Sequence, residues 1–239
     1  MNTMEITIQE NILQYMQELK AWLDETADCT PEGMSAFFTK RLSGYEAHMS
    51  VWSDAYRQFP SFLPENCHHI LDLGCGTGLE LDEIYHAFPS ISVTGVDLCK
   101  DMLDRCILKH SNRNFKPIQA DYLTYDMGTD CWDAVISFES LHHFLPAQKQ
   151  NLYKKVRRSL KEKAPFIYVD YFACCEEEEE LLRSTYFEKR LRFGIPDAQP
   201  IHFDIPLTIE HEKKLLLQAG FTNITFPACL NGAAFVYAF

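Results

Sequence analysis

Largely apolar runs of four to seven residues alternate with amphipathic helical stretches from residue 70 to residue 239. The runs lie at residues 70–73, 91–97, 115–121, 132–138, 166–172, 221–226 and 233–239. Between them, apolar side chains recur at helical spacing, for example over residues 79–85 and 209–219. Short apolar runs of this kind are typical of strands buried on both faces of a parallel sheet. We therefore predict an α/β fold with a doubly wound, mostly parallel sheet.

Two segments lie outside this alternation. Residues 5–27 and 35–59 carry apolar positions three and four residues apart, which predicts two helices. Residues 173–205 follow the fifth predicted strand and contain five consecutive glutamates, at 176–180, followed by aromatic residues and arginines. We expect the glutamates to form a solvated helix start. We expect residues 1–65 to form a helical N-terminal cap, and residues 173–205 a helical lid inserted into a domain of residues 66–239.

Three glycines follow the first predicted strand at alternate positions between Asp72 and Gly78. Glycine permits the positive φ angles of a tight turn and lets a ligand lie against the backbone. A dinucleotide fingerprint needs a glycine where Leu79 stands, and the Lys-Ser/Thr pair of a P-loop does not follow. The turn therefore favours a ligand with an uncharged ribose and an amino-acid tail, although an ordinary glycine-rich turn is an alternative.

Acidic residues end the second and third predicted strands. Asp97 lies 19 residues after Gly78, which is the length of one helix and one strand. In Rossmann-like sites an acid at this position accepts hydrogen bonds from both ribose hydroxyls. The alternative role for Asp97, and for Asp121 at the end of the third strand, is to cap the residues that follow.

Two further motifs lie along the chain, one beginning in the fourth predicted strand and one leading into the last two strands. The first is Asp-Ala-Val-Ile-Ser at 133–137, followed by Leu-His-His at 141–143, and the second is Leu-Leu-Leu-Gln-Ala-Gly-Phe at 215–221. Together with the glycine turn and the strand-end acids, they resemble the class I S-adenosylmethionine-dependent methyltransferases of the small-molecule type. The resemblance extends from about residue 66 to residue 239. It implies a seven-stranded sheet in the order 3-2-1-4-5-7-6, with the last strand antiparallel.

The resemblance also implies S-adenosyl-L-methionine as the cofactor, with S-adenosyl-L-homocysteine as the product. In that family an acid placed like Asp121 bonds the adenine amino group, and a cap tyrosine placed like Tyr45 covers the cofactor. Tyr45 is equally compatible with a role as one more core aromatic. The implied cofactor-binding residues are Tyr45, Asp72, Gly74, Cys75, Gly76, Gly78, Asp97, Leu98, Met102, Ala120, Asp121, Tyr122 and Phe138.

Candidate catalytic residues follow the fourth predicted strand, which in this fold lies beside the first strand at the ligand-binding switch point. A general base is needed only if the methyl acceptor carries a proton, and Glu139, His142 and His202 are the candidates. Two adjacent histidines cannot both face one site from a helix, so we expect His142, and not His143, to face inward. We expect no metal, because no third ligand stands at a suitable spacing.

The net charge of −12 opposes a polyanionic partner, so we expect a small-molecule acceptor and no nucleic acid. Seven Lys and Arg residues between 148 and 163 form a basic helix, which we expect to be a solvated face. No apolar run is long enough for a membrane span, and the N-terminus lacks the pattern of a secretion signal, so we expect a cytoplasmic protein. Nine scattered cysteines without a Cys-x-x-Cys pair predict free thiols. The oligomeric state is left open.

Two alternatives to small-molecule methyl transfer remain. The first is a tRNA-modifying enzyme that transfers a methyl or carboxymethyl group to a wobble uridine. That family resembles this chain in an Arg-x-x-x-Tyr, here Arg41 and Tyr45, and holds a carboxylated cofactor by an arginine, a role open to Arg190 or Arg192. The second is a non-catalytic S-adenosylmethionine-binding protein, which the intact stretch 137–143 opposes.

Overall fold

The computed structural model describes residues 7–239, which form eight α-helices, three short 3₁₀ helices and eight strands. The helices are α1 (Ile12–Glu25), α2 (Met34–Met49), α3 (Ser53–Gln58), α4 (Leu79–Ala87), α5 (Lys100–Lys109), α6 (Pro146–Ser159), α7 (Glu176–Arg192) and α8 (Ile209–Gln218). The strands are β1 (His69–Leu73), β2 (Ser92–Asp97), β3 (Phe115–Gln119), β4 (Ala134–Phe138), β5 (Phe166–Tyr171), β6 (Ile224–Thr225), β7 (Cys229–Leu230) and β8 (Ala233–Ala238). The first predicted helix begins at residue 5, and its residues 5 and 6 lie outside the described part of the chain.

All strands belong to one sheet with the order β3-β2-β1-β4-β5-β8-β6, in which β7 also pairs with β8. The strands from β3 to β5 are parallel, and β8 runs antiparallel to β5. The doubly wound sheet and its strand order are therefore confirmed. The two-residue strand β7 is an addition to the seven expected strands. It forms because Asn231 and Gly232 both adopt positive φ, the conformation of a tight hairpin turn.

The central strands are buried on both faces, as their apolar composition requires. Leu71 and Leu73 of β1 pack on the side of α6 and α8, and Ile70 packs on the opposite side with α4. All three side chains are 0 % exposed. Burying each such side chain stabilises the fold by roughly 1.5–3 kcal/mol. The sheet is thus a rigid platform whose carboxyl edge carries the loops of the site.

The cap and the lid share a small core of their own. Leu23 of α1 packs with Leu182 and Tyr186 of α7 and with Ile201 in the segment that follows. The backbone of Gly33 pairs with that of Ile201 in an isolated antiparallel bridge. The two segments outside the alternation are therefore in direct contact. Their division from residues 66–239 at residue 65 stays a prediction.

The glutamate run does not form a solvated helix start, because two of its members are buried. The Glu178 carboxylate accepts hydrogen bonds from the Cys174 amide at 2.6 Å and the Tyr15 hydroxyl at 2.6 Å. The Glu179 carboxylate accepts from the Thr208 amide at 2.8 Å and contacts the His211 ring. These bonds join the beginning of α7 to α1 and to α8, and composition alone could not reveal them.

The basic residues of α6 do not all form the expected solvated face. Lys149 is 0 % exposed and its Nζ atom lies 3.0 Å from the Glu212 carboxylate of α8. That carboxylate also accepts hydrogen bonds from the hydroxyls of Tyr153 and Tyr168. Lys155 donates to the carbonyls of Tyr122 and Leu123, both at 2.9 Å. Two of the cations therefore have structural partners.

We predict that Glu212→Gln lowers the free energy of unfolding by about 3–5 kcal/mol, because it leaves the Lys149 ammonium buried without a counter-charge. Urea denaturation measures the change. Glu210→Gln, on the exposed part of the same helix, is the matched control and should stay within about 0.5 kcal/mol of the unmodified protein. Equal stability of the two variants would contradict the prediction.

Candidate cofactor and acceptor site

The turn after β1 needs glycine at positions where a side chain would collide or strain the backbone. Gly74 has φ of 74°, and a Cβ atom there would lie 2.2 Å from the Ser140 Oγ atom. Gly76 has φ of 49°, and its amide donates to the Asp97 Oδ2 atom at 2.8 Å. The turn therefore lies against the loop after β4 on one side and the end of β2 on the other.

A cavity opens above this turn, and nine of the thirteen expected cofactor residues line it. They are Tyr45, Gly74, Gly76, Asp97, Leu98, Met102, Asp121, Tyr122 and Phe138. The lining residues that sequence reasoning missed include Leu123, Ser140, Phe144 and Gln148, as well as residues 197–201 of the lid. Leu123 follows two expected residues directly and could have been inferred from its position. Gln148 lies on α6 and reaches the cavity only through the fold.

Four expected cofactor residues do not line the cavity. Asp72 and Cys75 are buried below the turn, with 0 % and 2 % exposure. Gly78 faces α5, since a Cβ atom there would lie 2.7 Å from the Cys106 Sγ atom. Ala120 is also absent from the cavity lining. Position within a motif did not distinguish residues that face the cavity from residues that support the turn.

Asp72 belongs to a buried pair of carboxyl groups. Neither of its oxygens has a hydrogen-bond partner among residues 7–239, and the same is true of the Glu80 Oε1 atom. Burial, together with the neighbouring Glu80, raises the pKa of Asp72, and burial raises the pKa of Glu80. Asp72 therefore supports the turn from below and is not in the cavity.

Asp97 lies at the carboxyl end of β2, with its side chain held in place from both sides. Its Oδ1 atom accepts a hydrogen bond from the Cys99 amide at 2.7 Å, and its Oδ2 atom accepts from the Gly76 amide. Burial raises the pKa of Asp97, and the two amide bonds partly offset the effect. Each oxygen keeps a second lone pair, so the carboxylate can also accept from ribose hydroxyls. The position of Asp97 at this cavity is therefore compatible with a ribose contact.

A second cavity of about 600 Å³ adjoins the first. Its walls come from α2, the 3₁₀ helix Ser50–Trp52, the loop after β4 and the segment after α7. They include Phe37, Phe38, Arg41, Tyr45, Trp52, Glu139, His142, His143, His202 and Asp204. Phe38, Tyr45, Glu139 and His143 line both cavities. The boundary between the cavities is therefore defined by these four side chains.

Both histidines of the Leu-His-His motif face this region, which corrects the expectation that only His142 does. The motif forms a single 3₁₀ turn, Leu141–His143, and not an α-helix. The His142 Nε2 atom lies 3.6 Å from the Asp204 Oδ1 atom, and the His143 Nδ1 atom lies 3.2 Å from the same oxygen. On its other side, the His142 Nδ1 atom is 2.6 Å from the buried Asp170 carboxylate.

Opposing effects set the charges of this cluster. Burial lowers the pKa of His142, but the carboxylates of Asp170, Asp204 and Glu139 outweigh it and raise this pKa to about 9. Burial and the charge of His142 lower the pKa of His143. Burial acts to raise the pKa of Asp204, yet the adjacent imidazoles hold it well below its ordinary range. Burial raises the pKa of Glu139 to about 8.

The remaining candidates lie at the edge of the site or outside it. His202 stacks on Phe37 with 3.4 Å between ring centroids, and burial lowers its pKa to about 3. Arg190 donates to the backbone carbonyls of Gln199, at 3.1 Å, and Pro196. Arg192 pairs with Asp28. Neither arginine lines the two cavities.

Residues 70–163 match a family model described as "Methyltransferase domain". The chain carries a class I methyltransferase domain that uses S-adenosylmethionine. This methyltransferase is 23 % identical over 207 residues to the carboxy-S-adenosyl-L-methionine synthase of Nautilia profundicola. The alignment covers 82 % of this chain and 85 % of that protein. It is 30 % identical over 164 residues to the secondary metabolism regulator laeA of Aspergillus niger, covering 64 % of the chain and only 40 % of that protein.

Among solved structures, the methyltransferase is similar in fold to human N-acetylserotonin methyltransferase in complex with S-adenosylmethionine. The TM-score is 0.65 at 17 % identity, covering 95 % of this chain and 68 % of that one. No helix among residues 7–239 has the length and apolar content needed to cross a bilayer.

We predict that Gly76→Ala weakens S-adenosylhomocysteine binding by at least about tenfold, or 1.4 kcal/mol. The added methyl group meets no protein atom closer than 3.4 Å, so the loss arises where it enters the cofactor's space. Gly232→Ala is the control, since that glycine also has positive φ but is remote from the cavity. Calorimetry measures binding. An affinity of Gly76→Ala equal to that of the control would contradict the prediction.

Proposed function

We propose that this methyltransferase transfers the methyl group to a hydroxyl oxygen of a small molecule bound in the second cavity. The observation that supports this proposal is the set of four side chains common to both cavities. A methyl donor above the glycine turn and an acceptor beside Trp52 and Phe37 would meet at that boundary. In-line transfer requires the acceptor atom to lie about 3–3.5 Å from the methyl carbon, so a shared boundary is the geometry that the reaction needs.

Glu139 is the side chain best placed to take the acceptor's proton. It lines both cavities, whereas His142 and His202 line only the second. Its backbone has φ of 48°, which is strained for a residue with a side chain, and its amide donates to the Val169 carbonyl at 2.8 Å. Strain of this kind persists where the surroundings fix the residue, and it is frequent at functional sites. The Glu139 Oε1 atom has no hydrogen-bond partner among residues 7–239, so it can accept one from the acceptor.

The proposed reaction is a nucleophilic displacement at the methyl carbon. S-adenosylmethionine, when bound, supplies an activated methyl group and leaves as the neutral thioether. The acceptor oxygen forms the new bond to carbon and gives its proton to Glu139 in its ionised form, which the raised pKa of about 8 makes available at mildly alkaline pH. The aromatic walls exclude water, and Tyr45 lies at the boundary, where a Cβ atom on Gly76 would be 3.6 Å from its hydroxyl. The side chains thus orient the acceptor and remove its proton.

We predict that Glu139→Gln lowers the rate of methyl transfer by about 10²–10⁴-fold, because the amide cannot accept the proton. Formation of O-methyl ethers from a panel of phenols and alcohols, followed by mass spectrometry, measures the rate. S-adenosylhomocysteine affinity should stay within about threefold, and Glu46→Gln, at a partly exposed residue of α2 that lines neither cavity, should behave like the unmodified protein. Undiminished turnover by Glu139→Gln would refute its role as the base.

A second candidate is suggested by the relative from Nautilia profundicola, whose name refers to a carboxylated cofactor. The expected arginine partners of such a carboxylate oppose it, because Arg190 is bound to backbone carbonyls and Arg192 to Asp28. Mass spectrometry of the nucleoside that co-purifies with the protein separates the two candidates. A carboxylated nucleoside would favour the second.

The charge distribution supports a small-molecule acceptor over tRNA. We predict that Lys154→Glu combined with Arg158→Glu, on the exposed part of α6, leaves methyl transfer to the small acceptor unchanged within about twofold. An RNA contact would instead give binding that weakens steeply with salt. Filter binding of tRNA across salt concentrations is the measurement. Tight, salt-sensitive binding that the double variant abolishes would overturn the proposed acceptor class.

A further inference from the structure

Two imidazole nitrogens converge on one carboxylate oxygen at the wall of the second cavity. His142 Nε2 and His143 Nδ1 lie 3.6 Å and 3.2 Å from Asp204 Oδ1, and all three atoms fall within 4.8 Å of one another. Donor atoms that share a metal ion at about 2.0–2.2 Å lie at such separations from each other. The Asp204 side chain is 43 % exposed overall, so the cluster opens towards the cavity.

The contacts within this cluster are not those of a completed hydrogen-bond network. Asp204 Oδ1 is buried and has no hydrogen-bond partner among residues 7–239, although two nitrogens lie close to it. His143 Nδ1 has a long contact of 3.4 Å with the Phe203 carbonyl. The Oδ1 atom therefore has lone pairs available to a cation placed between the three atoms.

Asp170 fixes the orientation of the His142 ring. Its carboxylate lies 2.6 Å from the Nδ1 atom and is 0 % exposed. With Nδ1 donating to this carboxylate, the ring directs Nε2 at Asp204, and loss of the Nε2 proton on metal binding would leave a lone pair for the ion. A carboxylate behind a ligating histidine is the usual outer partner in protein metal sites. The alternative grouping of Glu139, His142 and Asp170 would use the Nδ1 atom that is already bonded.

The two segments that supply the cluster are joined by their backbones. The Ile205 amide donates to the His142 carbonyl at 2.8 Å, which holds Asp204 beside the 3₁₀ turn. The His202 amide donates to the Glu32 carbonyl at 2.9 Å, which anchors the same segment to the cap. Backbone hydrogen bonds thus hold the segments that carry the three side chains next to each other.

We propose that His142, His143 and Asp204 bind a divalent transition-metal ion whose open coordination positions face the second cavity. Two imidazoles and one carboxylate suit ions such as Zn²⁺, Co²⁺ and Fe²⁺ better than Mg²⁺ or Ca²⁺, which prefer oxygen ligands. Binding would displace the proton of His142. One consequence rests on the function proposed above: an acceptor hydroxyl bound to the ion would ionise more readily, and Glu139 would receive its proton.

Co²⁺ titration of the full-length protein, followed by visible absorption, tests the site without cofactor or acceptor. We expect one equivalent to bind with d–d bands and without a thiolate charge-transfer band, because no cysteine is in the set. Asp204→Asn and His143→Gln should each weaken binding by at least about 100-fold. Asp170→Asn should weaken it by about 10–100-fold through the orientation of His142.

His48→Gln, which alters an exposed histidine on the same cavity, is the matched control and should bind Co²⁺ like the unmodified protein. Retained S-adenosylhomocysteine binding by Asp204→Asn shows that this variant is folded. Absence of Co²⁺ binding by the unmodified protein, or equal binding by Asp204→Asn, overturns the proposal. Because the titration needs no turnover, its outcome is independent of whether O-methyl products form.

Discussion

The close approach of two loops at the carboxyl edge of the sheet is the constraint on which the site depends. Gly74, after β1, leaves no room for a side chain, because Ser140, after β4, occupies that space. The Ser140 hydroxyl also lies 2.8 Å from the Tyr122 hydroxyl at the end of β3. This contact joins the glycine turn of the first cavity to the loop that carries Glu139, His142 and His143, which line the second cavity. A larger residue at position 74 would displace both.

The cap and the lid supply the cavity walls that the sheet does not provide. The sheet supplies the glycine turn, Asp97 and Glu139, but α2 supplies Tyr45 and Phe38, and the segment after α7 supplies Asp204. Buried carboxylates fix these additions: Glu178 and Glu179 hold the start of α7, and Asp170 holds His142. Buried carboxylates with this many partners are oriented groups, so they determine geometry more than they add to stability.

The site is organised by charge as well as by shape. The second cavity combines four histidines with the carboxyl groups of Glu139 and Asp204, and Asp170 lies directly behind His142. Asp204 lies about 60 residues after the histidines of the 3₁₀ turn, so the lid supplies the third member of the cluster. A methyltransferase of this organisation can vary its acceptor by changing cap and lid while the cofactor turn stays the same.

The amino-acid sequence determined the sheet, its strand order and nine of the residues that line the cavity above the glycine turn, because these depend on local patterns. The apolar runs and the glycines at 74 and 76 each determine local structure within a few residues. The strands and the turn can therefore be predicted from the sequence. Only the tertiary structure decided that Lys149 is buried, since its partner Glu212 lies on another helix. Only the tertiary structure placed both His142 and His143 beside Asp204, because a 3₁₀ turn replaced the expected helix and the lid supplied the third side chain. Contacts between distant segments depend on how whole elements pack, and no spacing in the sequence records them.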